Sequence, residues 1–92
     1  MLYKKTKGFD KYNTNRVRIT GKLDKKPDFI KKAKKIINAG YFFKNPDVPS
    51  EVYKKVDKGM IQIYYNGKFV INAASNTIEA ALNILKGDVS KW

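Results

Sequence analysis

Lys31, Lys34 and Lys35 fall within one or two helical turns of each other, with no glutamate among them. Residues three and four apart on a helix project side by side, so these ammonium groups would form one cationic strip. An ordinary solvated helix face mixes signs. Lys22, Lys25 and Lys26 stand just upstream, and Lys4 and Lys5 near the start extend the same charge. The chemistry open to such a set is neutralisation of phosphates. Lysine is a mobile point charge rather than a planar fork, so it supplies affinity with little sequence preference. Arg16 and Arg18 are the two arginines of the chain and alternate with Val17 and Ile19. Alternation puts both guanidinium groups on the solvent side of one strand, where each could grip a phosphate or a base edge with two hydrogen bonds. The plainer account of both groups is a solvated surface.

Catalytic chemistry has little material. The chain contains neither histidine nor cysteine. That removes the side chain that titrates near neutral pH, the common zinc ligand sets, and the dyads and triads built on His or Cys. The eight carboxylates are scattered, and the six glycines stand where turns or caps need them rather than in a phosphate cradle. A binding protein is therefore expected, not an enzyme, with no metal and no cofactor.

Charge distribution sharpens the expectation about partners. Twenty Lys and Arg face eight acids, a net charge of +12. Residues 1–46 carry 12 Lys, 2 Arg and 3 acids, whereas residues 47–92 carry 6 Lys and 5 acids. AT-rich codons would favour Lys, Asn, Ile and Tyr, but they would favour glutamate too, and only Glu51 and Glu79 are present. The missing counter-charge is the footprint of a phosphate-binding surface. The partner expected is nucleic acid, DNA or RNA. The alternative is an acidic surface on a host protein, as for small cysteine-free chains of phages and mobile elements that inhibit or modulate a host nucleic-acid-processing protein. No apolar run approaches the ~18 residues that cross a bilayer. The start of the chain lacks an apolar leader segment. A cytoplasmic location is expected, with no membrane partner.

The elements that must carry these groups follow from periodicity. Leu2 to Thr6 reads as a short edge strand, or residues 1–15 as a flexible basic arm that includes Lys7, Lys11 and Tyr12. Gly8 and Asn13-Thr14-Asn15 read as turns. Residues 16–20 form a strand with Val17 and Ile19 inward. Phe29, Ile30, Ala33, Ile36 and Ile37 recur at helical spacing after Pro27 and before Gly40, which predicts a helix over about 27–39. Ser50 is placed to cap a short helix through Asp57 that buries Val52, Tyr53 and Val56. Asn66-Gly67 between two apolar runs predicts a hairpin over about 60–72. A two-residue loop would pair Tyr64 with Phe69 on one face and Ile63 with Val70 on the other. Both faces are then apolar, which suits a central strand pair covered on both sides. The competing use of Tyr64 and Phe69 is a stacking platform for bases. Ile78, Ala81, Leu82 and Leu85 predict a second helix over about 77–86, ended by Gly87. The sum is one α+β domain over 1–92, a small antiparallel sheet with two main helices on one face. An open sheet edge leaves room for a homodimer. The aromatic signature of an RRM, the GXXG loop of KH domains and a helix-turn-helix are all missing from this order of elements.

Overall fold

A computed structural model of the chain describes residues 1–9 and 15–92. Asn13 and Thr14 of the expected turn, and Lys11 and Tyr12 of the arm, lie outside the described residues, whereas Gly8 and Asn15, read as turn residues, lie in strands. Alternating apolar and polar residues build six strands: β1 (Leu2–Phe9), β2 (Asn15–Lys22), β3 (Phe42–Phe43), β4 (Glu51–Val56), β5 (Gly59–Tyr64) and β6 (Lys68–Ala74). They form one sheet in the order β1-β2-β6-β5-β4-β3, every neighbouring pair antiparallel. Two helices, α1 (Ala33–Asn38) and α2 (Ile78–Val89), complete the fold.

A small sheet under two main helices is therefore the wrong description. The sheet dominates, and α1 is only six residues long. Residues 27–39 do not form one helix. Asp28 folds the chain first, its Oδ1 accepting the backbone N–H groups of Ile30 and Lys31. Phe29 and Ile36 are buried, but Ile30 and Ile37 of the assumed apolar arc are 77% and 55% exposed. Crowded lysines without an interleaved acid weaken a longer helix here. Residues 51–56 are strand β4 rather than a helix after Ser50. Val52, Lys54 and Val56 share one face and Tyr53 takes the other. A lysine at an inward position broke the alternation that would have announced the strand.

The hairpin forms with a different register. Tyr65, Asn66 and Gly67 make a three-residue loop, with Gly67 at φ 89 and its N–H donating to the Tyr64 carbonyl at 2.9 Å. A turn closed by one left-handed residue leaves a bulge and an odd loop length. Ile63 then faces Phe69. Because side chains alternate, this slip by one residue sends Tyr64 to the opposite face from Phe69.

One face of the sheet carries the main core cluster, while Val70 and Ala74 are buried on the other face. Val17, Ile19, Val52, Ile61, Ile63, Phe69, Ile71 and Ala73 cluster with Phe29, Ile36, Tyr41 and the α2 stripe Ile78, Ala81, Leu82 and Leu85. Helix α2 continues through Gly87 to Val89. That places Asp88 over β4, where its Oδ2 accepts the Tyr41 hydroxyl at 3.0 Å and the Lys54 ammonium at 2.9 Å. The same ammonium sits 5.3 Å from the Tyr41 ring centroid, and Trp92 packs edge-on at 5.1 Å. Burial, and then the Asp88 charge, push the Tyr41 phenol far above its usual pKa.

Candidate nucleic-acid interface

Directly paired residues of antiparallel strands point to the same face, so the register sorts every strand position. The face away from the helices reads as rows running across the strands. One row is Thr6, Arg18, Asn72, Met60 and Lys55. The next is Lys4, Thr20, Val70, Gln62, Tyr53 and Phe42. Leu2, Lys22 and Lys68 follow at the hairpin end, with Tyr64 and Glu51 continuing there on β5 and β4. Arg16 opposite Ala74 closes the other end. None of these side chains belongs to the core cluster. Both helices lie behind the sheet, so no helix covers the outer face of the hairpin strands, although Val70 and Ala74 on that face are still buried.

This open face holds Lys4, Arg16, Arg18, Lys22, Lys55 and Lys68, and one carboxylate, Glu51, among its strand positions. Lys22 stands directly opposite Lys68. Like charges in that position destabilise a strand pair. Among the described residues none of the six cations is in an ion pair. Glu51 is mostly buried and lies 3.6 Å from the Lys44 ammonium, which dampens the one negative charge. Arg16 is held in place, its Nη1 donating to the Lys58 carbonyl at 2.8 Å. Aromatic rings complete the face: Phe42 is 61% exposed and tilts 33° against Tyr53 at 5.8 Å. No family model, curated protein or solved structure matches this chain.

The cations singled out in the sequence divide into three groups. Lys4, Arg16, Arg18 and Lys22 meet on the open face, joined by Lys55 and Lys68, which charge counting in the first half could not find. Lys25 and Lys26 border that face at the hairpin end, because Leu23 N–H donates to the Gly67 carbonyl at 2.9 Å and draws the loop against the turn. They also line a cleft of about 600 Å³ with Leu23, Pro27, Val89 and Trp92. Lys31, Lys34 and Lys35 are exposed on the helix side, across the core from the open face. Lys5 points to that side as well and pairs with Glu79 of α2. Of the two proposed stacking residues, Tyr64 is on the open face and Phe69 is fully buried in the core. Phe69 is therefore withdrawn as a stacking residue. Tyr53, expected to be buried by a short helix after Ser50, and Phe42, in an apolar run before the Asn45-Pro46 connection, instead lie on the open face. Among the described residues no group of three or more acidic, His or Cys side chains is placed to hold a metal ion. Among the same residues no helix is long and apolar enough to cross a membrane.

Proposed function

We propose that this chain is a non-catalytic nucleic-acid-binding protein of low sequence specificity, and that the open sheet face is its contact surface. The observation that carries the reading is the set of six cations against one damped carboxylate on a face that no helix covers. Setting Lys22 against Lys68 costs stability unless an anion sits between or above them. Phosphates are that anion. Four of the six side chains are lysines, which favours backbone contact over base readout.

Salt dependence tests the proposal, because each neutralised phosphate releases condensed counterion. With about four phosphates engaged, affinity falls by about 50- to 150-fold between 50 and 200 mM salt. Fluorescence anisotropy with nuclease-treated protein reads this directly. Several unrelated sequences should bind with similar affinity. A protein that binds no nucleic acid at low salt, or whose binding ignores salt, is not what is proposed.

A further inference from the structure

We infer that the nucleic acid bound is single-stranded, lying across the strands with its bases stacked on Tyr53, Phe42 and Tyr64; this rests on the open face being the contact surface. The row Lys4–Thr20–Val70–Gln62–Tyr53–Phe42 changes character along its length. Cations gather on the β1-β2-β6 half, with Lys4, Arg18, Lys22 and Lys68. Rings gather on the β5-β4-β3 half, with Tyr64, Tyr53 and Phe42. Phosphates need the first half and unpaired bases need the second.

A duplex could use only the first. Its bases are already stacked on one another, and reading its grooves takes a protruding helix or ribbon. The open face presents strands edge to edge, and both helices lie behind it. The rings of this face would gain nothing beside a duplex. A single strand offers a π-face at every base, so stacking adds affinity without selecting sequence. Six strands at the usual spacing span about 24 Å, room for roughly four nucleotides or more. The Phe42–Tyr53 pair, tilted and half open, is the best-formed platform.

The test uses the full chain and three DNA probes of equal length: a single strand, a duplex, and a strand stripped of its bases. The single strand should bind about tenfold tighter than either of the others. Phe42→Leu with Tyr53→Leu keeps the apolar cover but removes the rings. That variant should lose most of its preference for the single strand over the base-free strand, the remainder resting on Tyr64, while the base-free affinity stays unchanged. Circular dichroism and an unchanged base-free affinity confirm that the variant is folded. Tyr64→Leu provides an independent second variant, with a smaller loss confined to the single strand. If the duplex binds as tightly as the single strand, or removing the rings leaves single-strand affinity intact, the inference fails and phosphate binding stands. If none of the three probes binds, the proposed function itself fails.

Discussion

Charge reversal of Arg18, Lys22 and Lys68 to glutamate removes most nucleic-acid binding, whereas the same reversal at Lys31, Lys34 and Lys35 leaves most of it. Both triple variants lower the net charge of +12 by the same six units. Long-range attraction is therefore matched, and only the position of the charge differs. Lys22 and Lys68 are directly paired, and Arg18 lies on the same face of β2 beyond Thr20, within reach of one backbone. Losing three phosphate contacts and adding repulsion should weaken binding by roughly a hundredfold or more at low salt, equally for all sequences. The salt slope should flatten by about two to three. The Lys31, Lys34 and Lys35 variant should lose about tenfold or less, through the general field alone. All six residues are exposed, so neither variant should change the fold. Equal losses in the two variants would mean that no particular surface is used.

Asp88→Ala should have the largest effect on stability. One carboxylate oxygen receives both the Tyr41 hydroxyl and the Lys54 ammonium, tying α2 to β4 and to the segment after α1. The Lys54 and Asp88 side chains are only 20% and 16% exposed. Removing the acid leaves a mostly buried ammonium and phenol without their partner, at a cost of about 3 kcal/mol. For a domain of this size that lowers the melting temperature by about 12–20 °C. A loss under about 1 kcal/mol would mean that water replaces the carboxylate and that the trio is not a fastening. The buried phenol adds a pH signature. Its folded-state pKa is raised, so its contribution is complete below the unfolded value near 10. Above that pH the unfolded chain releases the proton and the folded chain does not. Stability then falls by about 1.4 kcal/mol per pH unit from this group. Tyr41→Phe should abolish that portion of the alkaline slope while costing about 1 kcal/mol at neutral pH.

What could be read from the residues depended on how cleanly each element kept one period. Arg16 to Thr20 alternates without a break, and both arginines stand on the open face. The α2 stripe repeats at helical spacing and is buried along its length. Residues 51–56 could not be read the same way. Lys54 points inward to meet Asp88, a partner distant in the chain, and without that partner the position looks solvent-facing. With β4 mistaken, the sheet lost an outer strand and the open face lost Tyr53 and Lys55. Asn66-Gly67 marks a hairpin under either loop length, but only backbone geometry says that Gly67 alone turns left-handed. That single residue decided whether Tyr64 and Phe69 share a face. The lysines of α1 carry the densest local charge, yet density along a chain says nothing about which layer of the fold presents it.

The central claim, that the open sheet face is the binding surface, is tested most directly by mapping backbone amide shifts as a short single-stranded DNA is titrated into the protein. Perturbations should centre on β2 and β6 around Arg18, Lys22, Lys68 and Asn72, and extend through Gln62 to Tyr53. Lys31, Lys34 and Lys35 should stay nearly still. Shifts concentrated on α1 with a silent sheet would contradict the account.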